Sequence, residues 1–151
     1  MNLLKFFLFL SLGLWLGAIV FFTAGEAPTI LRLAPTRELG GAIINQSMVR
    51  LHNLGFACGV IFLIASLGLS RLQHGELRAA QPSNIFIVIM LALTLYSQLS
   101  VLPAIAALRV AAPTQQQLDA FMHLHTVSVA LEGAVLLLGF LTLWLALRRL
   151  Q

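Results

Sequence analysis

Long apolar stretches alternate with short polar segments along this chain, and the pattern occurs four times. Residues 6–25, 51–70, 79–108 and 120–147 carry no charged side chain apart from Glu132. A helix needs about 20 mostly apolar residues to cross the core of a bilayer. The pattern therefore predicts an all-α chain, an integral membrane four-helix bundle. We expect a single transmembrane domain over residues 1–151, with helices at 3–25, 36–72, 84–109 and 114–149.

Composition supports this class and excludes two others. The 151 residues are 60% hydrophobic and only 9% charged, which is too little polar surface to cover a water-soluble globule of this size. The net charge of +4 is spread over loops and ends without a basic stripe, so we expect no nucleic-acid partner. The single cysteine, Cys58, cannot form a disulfide within the chain. The expected partner is the lipid bilayer.

The distribution of Lys and Arg gives a prediction of orientation. The basic residues on the side of the two termini and the middle loop are Lys5, Arg71, Arg78, Arg148 and Arg149, and those on the other side are Arg32, Arg37, Arg50 and Arg109. The first side has five basic residues against four, and its five lie in short segments next to helix ends, where basic residues tend to remain cytoplasmic. We therefore predict both termini in the cytoplasm, with the chain in a bacterial inner (plasma) membrane.

The two halves of the sequence share an order of short motifs. Pro28-Thr29-Ile30, an Ala-Pro-Thr segment ending at Thr36 and a Leu-His pair at His52 recur as Pro103-Ala104-Ile105, an Ala-Pro-Thr segment ending at Thr114 and a Leu-His pair at His125. A repeat with an even number of crossings gives parallel copies around an axis along the membrane normal. This predicts two duplicated parallel αα hairpins, residues 1–75 and 76–151, in which His52 and His125 are symmetry mates.

Proline and threonine positions predict where helices begin and bend. Thr36 and Thr114 each follow a proline and are suitable N-caps, so the second and fourth helices should begin there. Pro103 lies inside the third apolar stretch. It should leave the carbonyl near Leu99 without its helical partner and kink the helix beside Tyr96, Ser97, Gln98 and Ser100.

Polar residues inside the apolar stretches are the candidates for function. His125, Ser128 and Glu132 have i, i+3, i+7 spacing and share one face of the fourth helix. A carboxylate that faces lipid is expensive, so Glu132 should face the bundle interior or a wet cavity. We predict a polar vestibule with ligand-binding residues His52, Gln98, His125, Ser128 and Glu132, and with His123 and Arg109 nearer its mouth.

A purely structural role is the alternative for each of these residues. A buried Glu can be protonated and bonded to a neighbour, and interfacial His and Arg often only anchor helix ends. The glycine pairs of two GxxxG motifs, Gly13 with Gly17 and Gly55 with Gly59, are predicted to be helix-packing positions. They could bind a second copy of the chain or other membrane helices.

Two motifs carry a resemblance to a known family. Trp15-Leu16-Gly17, followed by an aromatic-rich segment, and Phe121-x-x-Leu124-His125-x-x-Ser128 resemble the transmembrane-protein-205-like family, a four-helix membrane domain of unknown function. The resemblance implies that fold, but no activity. Where that family tends to have Asn, this chain has Glu132. The first helix is more remotely similar to copper-resistance-D-like proteins and to haem-binding oxidases, but the histidine of those oxidases would fall near Leu8 here.

Three hypotheses for function follow. The first, which we favour, is a small binding or transport module for a cation, a proton or a small polar ligand. The second is a redox protein that binds haem or a metal ion through the candidates His52 and His125. The third is a structural membrane subunit. The chain carries no HExxH, P-loop or nucleophile with an evident base, so the sequence favours a protein that is not an enzyme.

Overall fold

The computed structural model describes residues 1–109 and 113–150, the side chain of Leu150 excepted. Its four long helices are Asn2–Leu33, Arg37–His74, Pro82–Ala107 and Gln115–Leu150, called here the first to fourth helices. Each is long and apolar enough to cross a membrane, which confirms the predicted fold class. The repeat motif at Val110, Ala111 and Ala112 lies outside the described residues.

The helices form an up-and-down bundle. Each helix packs against the next one along the chain, and the fourth returns to contact the first. The first and second helices share the most extensive contact, followed by the third and fourth, so the bundle consists of two hairpins. The second and fourth helices consequently lie diagonally across the bundle, where side chains can meet only in its interior.

Both predicted threonine caps are confirmed. The Thr36 hydroxyl accepts a hydrogen bond from the Leu39 amide at 3.2 Å, and the Thr114 hydroxyl accepts one from the Gln117 amide at 3.3 Å. Gln117 closes a reciprocal capping box, because its side-chain oxygen accepts from the Thr114 amide at 2.9 Å. The caps satisfy amide groups that otherwise lack a partner at the start of a helix.

One π-helical turn interrupts each of the odd-numbered helices just before a proline. The turns span Phe22–Glu26 and Ser97–Val101, and Pro28 and Pro103 follow them. A proline lacks the amide hydrogen and crowds the carbonyl four residues earlier, and a wider turn relieves that crowding. The distortion expected at Pro103 is therefore a π turn. The first helix also has a π turn before its proline, and this helix continues past its expected end at residue 25 to Leu33.

The buried faces of the two hairpins are in register. Ser97 follows Phe22 by the same 75 residues as Pro103 follows Pro28. In the second helix the buried positions include Gly55, Gly59, Phe62, Ser66 and Leu69, and each has a buried counterpart 73 residues later, at Ser128, Glu132, Val135, Gly139 and Thr142. This register supports the predicted duplication, and it places Glu132 where the first hairpin has a glycine.

The two GxxxG motifs differ in their surroundings. A Cβ atom at Gly55 would lie 2.6 Å from Nε1 of the buried Trp15, and one at Gly59 would lie 2.7 Å from Cδ2 of Leu91. These two glycines therefore permit close helix contact within the bundle. Gly13 and Gly17 are exposed, and a Cβ atom there would meet no atom of the described residues within 4 Å. Their role in packing against another chain stays a prediction.

Candidate functional site

A buried histidine and a buried carboxylate meet inside the bundle. Nε2 of His52 lies 2.7 Å from Oε1 of Glu132, and their side chains are 2% and 9% exposed. His52 belongs to the second helix and Glu132 to the fourth, so this hydrogen bond joins diagonal helices. The pair carries no net charge with one proton shared between the two groups, whichever group holds it. That sharing reduces the cost of placing ionisable groups in a membrane interior.

Nδ1 of His52 and the hydroxyl oxygen of Ser97 have no hydrogen-bond partner among the described residues. Both side chains are fully buried. Buried polar groups are nearly always hydrogen-bonded, so such atoms need an explanation. A bound water, ion or small ligand would provide one.

Ser97 lies at the depth of the pair. Gln98, its neighbour, donates to Asn53 at 3.3 Å, and Asn53 adjoins His52 in the second helix. In the fourth helix, a Cβ atom at Gly139 would lie 3.3 Å from Met90. The third and fourth helices are antiparallel, so the residue seven positions before Gly139 lies at the same depth as the residue seven positions after Met90. These two residues are Glu132 and Ser97.

Ser97 is predicted beside the kink before Pro103 and not among the ligand-binding residues. Its burial continues the α-helical spacing of the buried Met90 and Thr94, and a π turn begins at Ser97. Turns of this kind inside helices frequently occur at functional sites. The signal in the sequence is this spacing, which places Ser97 on one face with Met90.

The predicted site residues Gln98 and Ser128 differ in their surroundings. The Gln98 side chain is partly buried, and its Oε1 atom is buried without a partner, while its amide nitrogen contacts Asn53. Ser128 lies one turn before Glu132 on the same buried face. Neither forms a hydrogen bond with His52 or Glu132 among the described residues, and their role in ligand binding stays a prediction.

His125 does not lie in the interior of the bundle. Its side chain is exposed and stacks on Phe121, with ring centroids 6.2 Å apart. The residues of the fourth helix before Ser128 are exposed or only partly buried. The expectation that His125 lines the same site as His52 is thus not matched by its position. The repeat places the two histidines at equivalent chain positions but in different surroundings.

The residues expected near a mouth lie away from the pair. His123 is exposed. The Arg109 side chain packs onto Gly41, where a Cβ atom would lie 3.0 Å from Nε, and burial lowers the pKa of this guanidinium. Neither the 430 Å³ cavity beside Arg149 nor the 240 Å³ cavity beside Glu26 is lined by His52 or Glu132.

Metal-ligating residues do not cluster in the described part of the chain. No group of three or more His, Cys, Asp and Glu residues is placed to hold a metal ion there. Nε2 of His52 is occupied by Glu132, which leaves Nδ1 as its free ring nitrogen. The chemistry that the pair itself offers is the uptake, release or transfer of a proton between an imidazole and a carboxylate.

Comparison with known proteins gives a family without an activity. No curated protein and no solved structure matches the chain. A family described as a domain of unknown function, DUF4149, matches residues 10–114. This range includes His52 and Ser97 and ends before the fourth helix, which carries Glu132. Because the match covers more than half of the 151 residues, the chain belongs to the DUF4149 family of unknown function.

Proposed function

We propose that this chain is a small membrane binding module in which the His52–Glu132 pair holds a proton or a cation and links its occupancy to a small polar ligand. The observation that carries the proposal is the 2.7 Å contact between two buried ionisable groups inside four membrane-spanning helices. Ionisable residues at such depth commonly mark ion pathways and proton relays.

The atoms without partners suggest where a ligand would bind. Nδ1 of His52 and the Ser97 hydroxyl are buried and free to form hydrogen bonds. A small polar molecule, or water, that bridges these atoms would satisfy both and would touch the imidazole that shares a proton with Glu132. A change in the protonation of the pair would then change the affinity for that molecule. The module would transport the ligand if the ligand could reach the pair from both sides of the membrane.

Proton binding by the pair can be measured directly. Purified protein in detergent micelles is titrated from alkaline to acid pH, and the protons taken up are compared with those taken up by Glu132→Gln. Any Glu→Gln change removes one carboxyl that takes up a proton, so the pair is detected through its coupling to the histidine. We expect the uptake step that Glu132→Gln removes to move when His52 is replaced by Gln. Glu38→Gln is the matched control, since Glu38 is an exposed residue in the first turn of the second helix, and the step that it removes should not respond to His52→Gln. A Glu132 step that is unchanged in His52→Gln would refute the proposed pair.

The metal and haem alternative has less support from the site. His52 contacts Glu132, and the second candidate ligand, His125, stacks on Phe121 at an exposed position. An absorption spectrum of the purified protein with metal analysis distinguishes the two hypotheses. A Soret band or a stoichiometric metal that His52→Ala removes would favour the redox alternative.

The open face at Gly13 and Gly17 favours a second candidate function, that of a structural membrane subunit. The face carries small residues with free space around them, which suits close approach of another helix. We propose that a second copy of the chain, or another membrane helix, packs there. Loss of oligomers in the Gly13→Ile variant, measured by crosslinking in membranes, would support this role.

We also propose a family likeness and a location for this chain. The likeness to the transmembrane-protein-205-like family, and the remote one to copper-resistance-D-like proteins, rests on short motifs in the first and fourth helices. We propose a bacterial inner membrane as the location, with both termini in the cytoplasm, on the basis of the basic residues near helix ends.

A further inference from the structure

A basic cavity lies at the end of the bundle opposite the Thr36 and Thr114 caps. It has a volume of about 430 Å³ and lies between the loop that joins the two hairpins and the last turns of the fourth helix. Its polar lining comes from His74, Arg78, Gln81, Ser83, Arg148 and Arg149. Among the described residues that line it, none has a carboxylate. Cavities of this size suit small ligands.

Arg149 is held in this cavity by two neutral side chains. Its Nη1 atom donates to the Ser66 hydroxyl at 3.4 Å and to Oε1 of Gln81. Its Nη2 atom is buried and has no partner among the described residues. This guanidinium has a buried donor without an acceptor, and its two partners do not neutralise its charge. A bound anion would provide both an acceptor and a negative charge.

Two further arginines add positive charge to the same wall. The Arg148 guanidinium lies 3.9 Å from the centroid of the Trp144 ring, a cation–π contact that fixes its position. Arg78 comes from the loop between the hairpins. The third helix begins at Pro82, and its amino end adds a partial positive charge. Three guanidinium groups around one cavity repel each other unless an anion lies between them.

We propose that this cavity binds a phosphate group, and that the phosphate belongs to an anionic lipid headgroup. Arginine pairs with phosphate oxygens through two parallel hydrogen bonds, and three arginines can surround one phosphate. The cavity lies at helix ends, where the headgroups of a bilayer would be, and Trp144 is half-exposed beside it, as is typical of interfacial residues. Basic pockets between membrane helices are known binding sites for anionic headgroups.

The test compares lipid and free phosphate on the same purified protein. The full chain in neutral detergent is titrated with phosphatidylglycerol, phosphatidylcholine or inorganic phosphate, and binding is measured by native mass spectrometry and by the shift of the unfolding temperature. The variants are Arg78→Gln and Arg148→Gln. Arg71→Gln is the control, because Arg71 is an exposed arginine at the same end of the bundle that does not line the cavity.

We expect phosphatidylglycerol to bind, with affinity about fivefold lower in each cavity variant and unchanged in Arg71→Gln. If inorganic phosphate stabilises the protein as much as phosphatidylglycerol does, and the effect is lost in the same two variants, that result would support a phosphate site but would overturn the proposal that the phosphate comes from a lipid. No shift with either anion, or an equal loss of affinity in Arg71→Gln, would overturn the site itself.

Discussion

Removing one member of the His52–Glu132 pair should destabilise the bundle far more than replacing both members. Glu132→Leu leaves His52 buried with neither ring nitrogen bonded, since Nδ1 already lacks a partner among the described residues. Breaking a buried pair costs about 3–5 kcal/mol, and we expect about 3 kcal/mol here because one nitrogen is unpaired already. The double variant His52→Leu/Glu132→Leu replaces both groups by apolar side chains and should lie within about 1 kcal/mol of the parent.

The assay is reversible unfolding by an anionic detergent in mixed micelles, followed by tryptophan fluorescence, to which the buried Trp15 and the half-exposed Trp144 contribute. The free energies of unfolding of the parent, both single variants and the double variant form a mutant cycle. The hydrogen bond between Gln115 and Asp119 gives a control cycle, because it is an exposed 3.0 Å contact at the start of the fourth helix, away from the pair. Its coupling should be about 0.5 kcal/mol. A double variant of the buried pair whose loss of unfolding free energy equals the sum of the two single losses would show that His52 and Glu132 are not coupled.

Three further predictions concern packing, capping and topology. Gly55→Ala should lower the free energy of unfolding by about 1–3 kcal/mol because the new Cβ meets the buried Trp15, whereas Gly13→Ala should raise it by up to about 1 kcal/mol, as measured by the same unfolding assay. Equal effects would contradict the packing described. Thr36→Ala should cost about 1 kcal/mol through loss of the cap on Leu39, and Thr36→Ser should restore it. A phosphatase fused to the carboxyl end should be inactive and a fluorescent protein there should be bright, and the reverse result would invert the topology.

The helices and their caps could be predicted because each depends on nearby residues. Apolar stretches of sufficient length predict the four spans, and an Ala-Pro-Thr segment before an apolar stretch predicts each capping threonine. The bounds differ most for the first helix, which passes Pro28 and ends at Leu33. A proline usually ends a helix, but the π turn at Phe22–Glu26 accommodates this one. Local patterns do not show whether such a turn will form.

The site depends on helix rotation, which the sequence does not specify. Spacing alone placed His125 and Glu132 on one face, and a helix face is broad enough to hold both a buried and an exposed residue. The structure buries Glu132 and leaves His125 exposed. Ser97 shares its buried face with Met90 and Thr94. Contacts between diagonal helices follow from the order of all four helices around the bundle, which no single motif encodes.

The central claim is that His52 and Glu132 share a proton that exchanges with the surroundings. Infrared difference spectroscopy of the protein in lipid, between alkaline and acid buffer, observes the carboxylic acid group directly. We expect a protonated-carboxyl band that appears with acid, shifts in His52→Gln, is absent in Glu132→Gln and is unchanged in Glu38→Gln. A difference spectrum that is identical in the parent and in Glu132→Gln would contradict the account, because the pair would then be a fixed structural contact without an exchangeable proton.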